Sequence, residues 1–199
     1  MESQPQLGVD ALYIASQTVV ALQALVTRLT SPVEPVIIGV GKLQAGTTYN
    51  ALAGSAVLEG TTRTISQESR ARVREQITRT ARNIADIYGG RAEVQWTDIT
   101  AALINAPQAC QEAAAAAKLL GEGVRVITDR SLSLCGDNLA EYLRHTPGAY
   151  AYLGSGNPAL PNTLSSLHSE DFDVDEKALT LGAGLYAGYA LSRLAASAR

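Results

Sequence analysis

Apolar residues at Leu12, Ala15, Val19, Leu22, Val26 and Leu29 recur at three- and four-residue intervals behind Asp10. That spacing predicts one apolar face of a helix that starts at a capping aspartate. Val20 and Leu25 fall off the stripe, which leaves a second face available for cover. Pro32 and Pro35 stop the helix and lead into a β-branched run from Val36 to Leu43. Gly46 to Asn50 reads as a turn and Ser55 to Ile65 as a second strand. Ser66 then caps a longer helix to about Tyr88, with Val73, Ile77, Ala81, Ile84 and Ile87 or Tyr88 facing inward. Gly89 and Gly90 supply its stop. From Arg91 onward Ala92, Val94 and Trp96 alternate, the pattern of a half-buried strand.

The order is therefore α-β-β-α-β, one strand short of the β-α-β-β-α-β ferredoxin-like unit that usually sets two helices over an antiparallel sheet. The seven residues before Gly8 are too few and too polar for that first strand, so the chain is expected to begin inside a domain. The missing strand would be central, between the strands at Ser55 to Ile65 and from Arg91. The gap is expected to be closed by those two strands, by another chain or by the residues near Met1. Val36 to Leu43 would be the outer edge, suited to antiparallel pairing with a second copy.

Beyond a composition shift at Thr100 to Asn105, Pro107 to Leu120 reads as an alanine-rich helix and Val124 to Thr128 as a short strand. Asp137 to His145 reads as a helix ended by Pro147 and Gly148, and Ala149 to Leu153 as a strand with two tyrosines. A Gly/Pro/Asn loop covers Gly154 to Asn162. An acidic run from Glu170 to Glu176 precedes a last helix to about Ala196.

Composition narrows the function classes. The 199 residues are 46% hydrophobic, which excludes a disordered chain. Lys and Arg total 16 against 19 Asp and Glu, and the net charge of −3 argues against a general nucleic-acid binder. The arginines at 70, 72, 74, 79 and 82 alternate with Glu68, Glu75 and Asp86, the mark of a solvated helix face. The stretches Ala11 to Thr27 and Ala178 to Ser192 fall short of the roughly 20 apolar residues of a membrane span, and no secretory leader is visible. Cys110 and Cys135 form neither a disulfide framework nor a zinc knuckle pattern. A soluble, cytoplasmic protein with no nucleic-acid or membrane partner is expected.

Two local patterns imitate ligand sites. Gly182, Gly184 and Gly188 resemble a dinucleotide loop but fall inside a helix rather than after a strand. Asp171, Asp173 and Asp175 resemble a calcium loop, yet Glu176 and Gly182 stand where its glycine and closing glutamate belong. A helix start explains the acids better, through the macrodipole. Of the two histidines, His145 is an ordinary helix-terminal base, while His168 sits in a loop, where functional side chains concentrate.

Six segments in order resemble the zinc-dependent amidohydrolases of the hippurate, N-acyl-amino-acid and indole-acetyl-amino-acid hydrolase group, within the aminoacylase and carboxypeptidase-like metallopeptidases. They are Ser-Gln-Pro-Gln-Leu-Gly-Val-Asp (3–10), Gly-Thr-Thr-Tyr-Asn (46–50), Leu-Glu-Gly-Thr-Thr-Arg-Thr (58–64), Cys135 to Leu143, Pro147 to Gly154, and Leu167 to Glu176. The resemblance implies an α/β chain. Residues 1–100 would be an incomplete α+β lid or dimerisation domain, ferredoxin-like without its first strand. Residues 101–199 would be the C-terminal part of a zinc-peptidase-like catalytic domain.

It also implies roles. His168 matches the last metal ligand of that group. Asn50 matches an asparagine that reaches a neighbouring subunit's site and donates to the oxyanion. Arg63 matches an arginine that grips the substrate carboxylate with its planar fork. Gly136 and Gly154 would meet substrate through their backbone. Asp137, Asn138 and Leu139 stand where that group has Glu-Asp-Phe. Read without the resemblance, Asn50 is a turn residue and Arg63 an exposed strand charge.

The implied function is hydrolysis of the amide of an N-acyl amino acid or similar small substrate, with zinc or another divalent metal in the complete enzyme. The other four metal ligands and the general base lie outside these residues. The chain alone is therefore expected to bind no metal and to be inactive, and a separate N-terminal half is a possible partner. The alternative is a non-catalytic dimerisation or regulatory module with the same fold. A homodimer through the lid is expected in either case.

Overall fold

The structure, a computed structural model, describes residues 4–197. The chain divides into two units, one running to Ala102 and including Leu134–Gly136, the other holding Leu103–Ser133 and the rest.

In the first unit, helix α1 (Ala11–Arg28) starts where the Asp10 carboxylate accepts from the Leu12 and Tyr13 amides. Strands β1 (Ile37–Ala45) and β2 (Ala56–Arg63) pair antiparallel, with Ile37 opposite Arg63 and Ala45 opposite Ala56. The register slips between Val40 and Lys42. Helix α2 (Gln67–Ile87) is capped by Ser66, whose hydroxyl accepts from the Ser69 amide. It ends at Gly89, at φ 73°, with the Gly90 amide turned back to the Ala85 carbonyl at 2.8 Å. Leu22, Leu25, Val36, Ile38, Val73 and Ile77 form the core, with Val26, Val40 and Trp96 packed against it.

The buried stripe of α1 is Ala15, Thr18, Leu22 and Leu25, whereas Leu12 and Leu29 of the expected stripe are exposed. Burying Thr18 is cheap because its hydroxyl donates to the Ile14 carbonyl at 2.9 Å. On α2 the inward row is Ser69, Val73, Ile77, Ala81 and Ala85, while Ile87 is exposed and Ile84 only half-buried.

The expected third strand does not form. From Arg91 to Trp96 burial alternates as the pattern predicts, with Ala92, Val94 and Trp96 half-buried. The described sheet nevertheless contains only β1 and β2. An extended segment becomes a strand only beside a partner that takes its amides and carbonyls, and none of the described residues lies in that place. The gap beside β2 is thus not closed by the two flanking segments, and Met1 to Ser3 lie outside the described residues.

The second unit is helical and loop-rich. It holds α3 (Pro107–Lys118), the short α4 (Leu139–Leu143) and α5 (Lys177–Ser197), with a 3₁₀ turn at Pro161–Leu164. The helix expected over Asp137 to His145 is thus reduced to five residues. Helices α3 and α5 approach closely, and a Cβ on Gly188 would lie 3.9 Å from that of Ala116. The glycines of α5 therefore serve packing. Glu112 of α3 accepts from Arg193 of α5 at 2.9 Å, and the Gln108 amide and Tyr189 hydroxyl reach it as well.

Neither expected strand appears here. The Asn105 side chain accepts from the Tyr150 amide at 2.8 Å and donates to its carbonyl at 3.0 Å, replacing a neighbouring strand. Val124 to Thr128 has no ladder partner among the described residues.

Candidate functional site

Arg63, the last residue of β2, directs Nη1 to the Leu134 carbonyl at 2.9 Å. That bond ties the segment at Leu134–Gly136 to the end of the strand. A Cβ built on Gly136 would lie 4.0 Å from Arg63 Nη1 and 3.2 Å from Thr100 Cγ2. Two residues singled out by sequence, 73 positions apart, are thus brought together. Arg63 has no carboxylate partner among the described residues. Its fork stands exposed beside a position with no side chain.

Asn50 is placed elsewhere. It is exposed in the loop joining β1 to β2, where the Thr48 hydroxyl donates to its Oδ1 at 3.1 Å. The loop returns to the start of α1, the Ala11 amide donating to the Ala53 carbonyl at 2.9 Å. Arg63 lies at the other end of the same ribbon, opposite Ile37. At about 3.4 Å per residue, eight residues of strand span roughly 24 Å. One copy of the chain does not bring Asn50 and Arg63 to one small ligand.

His168 belongs to the second unit, in the loop between Gly154 and α5. It is exposed, and its φ of 74° makes it the described non-glycine residue held in the left-handed region. Such a conformation costs about 1–3 kcal/mol and persists only where the surroundings impose it.

The loop that carries it is closed by bonds of its own. The Asp175 amide donates to the Ser155 carbonyl at 2.9 Å, closing the loop one residue after Gly154. The Asn157 side-chain amide donates to Asp175 Oδ2 at 2.8 Å. Buried Thr163 accepts from the Asn157 amide and donates to the Leu160 carbonyl. The Lys177 backbone N–H, then the Asn157 side chain, hold the Asp175 carboxyl below the usual carboxylate range. Asn157, Thr163 and Asp175 are not among the candidate residues read from sequence. Asn157 before Pro158 is the one visible signal, a turn initiator. Gly154 itself is open, with no atom within 4 Å of the place a Cβ would take.

Metal chemistry needs more than this. A catalytic zinc takes three protein ligands, and the described residues contain no group of three or more His, Cys, Asp and Glu side chains able to hold a metal ion. His168 stands as a single imidazole. Cys110 and Cys135 are not joined in a disulfide. Among the described residues no helix is long and apolar enough to cross a membrane.

Comparison with known proteins identifies the family. The peptidase dimerisation domain of the M20 family matches residues 2–102. The N-acetyl-L-cysteine deacetylase of Bacillus subtilis is 32% identical over 178 residues, covering 88% of this chain and 40% of that protein. Thermostable carboxypeptidase 1 of Saccharolobus solfataricus is 28% identical, covering 91% of this chain and 45% of its own length. Among solved structures, the Bacillus subtilis YXEP protein, described as a dinuclear metal binding peptidase of the M20 family, superposes with a TM-score of 0.77. It is 28% identical and the match covers 94% of this chain and 46% of that one. The chain spans about half the length of the relatives it matches. It belongs to the M20 family of amidohydrolases and peptidases, with that family's α+β dimerisation domain in its first half.

Proposed function

We propose that this chain is the lid and the C-terminal part of the catalytic domain of an M20 enzyme that hydrolyses the amide of N-acyl amino acids or similar small substrates. Residues 1–100 act as the lid and 101–199 as the catalytic part. The observation that carries this reading is the pairing of Arg63 with Gly136. A guanidinium fork beside an open glycine backbone suits the carboxylate of an amino-acid product. Asn50, at the far end of the ribbon, donates to the tetrahedral oxyanion in the site of a second copy. His168 supplies one ligand to zinc or a similar divalent ion, and the Gly154 backbone borders the substrate.

The remaining ligands and the general base are assigned to polypeptide outside these residues, possessed in the family by an N-terminal half. Surface supports this. In the second unit Leu179, Tyr186, Leu191 and Leu194 of α5 are exposed, as on a helix that another segment covers. Alone, the chain neither binds zinc tightly nor turns over. Its unbridged cysteines suit the cytoplasm.

The dimer forms through the outer edge of β1, which is paired on one side only among the described residues. Mixing tests the shared site. In the enzyme completed by the missing ligands, Asn50→Ala and Arg63→Ala dimers are each inactive, whereas mixed dimers regain activity at one of two sites. No recovery on mixing would contradict the assignment of Asn50 to the partner's site. Stoichiometric zinc and turnover by the isolated chain would contradict the assignment of the ligands elsewhere.

A further inference from the structure

The arginines of α2 are not equivalent. Arg72 is bound to Glu34, whereas Arg70 and Arg74 share the single carboxylate of Asp98, at 2.7 and 3.2 Å. Arg79 Nη1 is 3.9 Å from Glu75, and Arg82 has no carboxylate within ion-pair distance among the described residues. On the stretch Arg74 to Asn83 three guanidinia (Arg74, Arg79, Arg82) stand with one carboxylate (Glu75), a local surplus of two positive charges. Sequence alone shows no aromatic beside this row, but the fold brings one. Trp96 lies against it, its Nε1 donating to Thr78 Oγ1 at 3.3 Å and the Arg74 guanidinium 5.1 Å from its ring centroid.

Between them is a groove of about 410 Å³ lined by Arg74, Thr78, Arg79, Arg82, Asn83 and Trp96, with Glu75 also on its wall. The groove is open to solvent, so its charges rather than enclosure would hold a ligand. We propose that the groove binds a small, doubly charged oxyanion carrying a flat apolar group, an aryl phosphate being the chemical type. Its oxygens meet the forks of Arg79 and Arg82 and the Asn83 amide, and its ring lies along Trp96. A surplus of two charges matches one dianion. A polynucleotide would need the basic track to continue, and Arg72 is already neutralised by Glu34.

Trp96 is the single tryptophan of the chain, so its fluorescence reports from the groove alone. The full chain is titrated at constant ionic strength with phenyl phosphate, phthalate and acetate. A saturable emission change is expected with phenyl phosphate and none with acetate. Binding weakens when pH falls from about 7.5 to 5, because the phosphate monoester, with a second pKa near 6, loses a charge. The Arg79→Gln/Arg82→Gln variant keeps its circular dichroism, both side chains being exposed. It binds about fivefold more weakly or worse, since each exposed ion pair is worth a factor of about two to five. Phthalate binding equally tightly, with the same loss in the variant, supports the dianion site with a dicarboxylate as its source. No saturable change, or one that survives the double substitution, overturns the proposal.

Discussion

Arg63 donates from Nη1 to the Leu134 carbonyl at 2.9 Å, joining the end of β2 to a segment 71 residues further along the chain. Strand and segment carry two candidate substrate-binding positions, Arg63 and Gly136, and this hydrogen bond joins them. Arg63→Ala should loosen the segment without unfolding the unit. A net hydrogen bond is worth about 0.5–1.5 kcal/mol, so backbone amides of Leu134–Gly136 should exchange roughly two- to tenfold faster. Unchanged exchange there would show that other contacts hold the segment.

Gly60 lies under Gly39 in the ribbon, where an added Cβ would come within 2.4 Å of the Gly39 carbonyl oxygen. The obstacle is backbone, which cannot swing aside as a side chain does. Gly60→Ala should cost about 1–3 kcal/mol, the usual range for overpacking, read from the urea midpoint. Gly54→Ala, with nothing within 4 Å of the new carbon, is the control and should change stability little. Equal effects of the two would mean that β1 and β2 separate readily.

Acid should loosen the loop that carries His168. The Asp175 carboxyl is held below its usual value first by the Lys177 amide and then by Asn157. A depressed native pKa contributes stability above the unfolded value, near 3.9 for aspartate, and this is lost as pH falls through the native value. Asp175→Asn should therefore lower the thermal midpoint at pH 6 more than at pH 3. A difference independent of pH would remove the carboxylate from the account.

Local signals carry the helices of the first unit. Asp10 and Ser66 are caps that bond within three residues, and Gly89 adopts the left-handed stop its position suggests. The inward face of α1 differs from the apolar stripe by about one position, because a threonine that satisfies its own hydroxyl packs as well as a valine. Strands are less legible. Ala92, Val94 and Trp96 show the alternation expected of a strand, but pairing is a property of two segments and among the described residues no second one pairs with them. Tyr150 reads as a strand residue, yet its backbone is satisfied by the side chain of Asn105. The contacts of Arg63 with Leu134 and of Arg74 with Trp96 leave no trace in local pattern, since each depends on how distant segments close.

The central claim is that the active site is shared between two copies, and association is its first requirement. Ile37 and Leu43, both exposed on β1, lie along the edge through which the copies would meet. Sedimentation velocity of the chain over a range of micromolar concentrations should show a species of twice 20.9 kDa. A monomer of 20.9 kDa at every concentration would contradict the account, because Asn50 would then have no second site to reach.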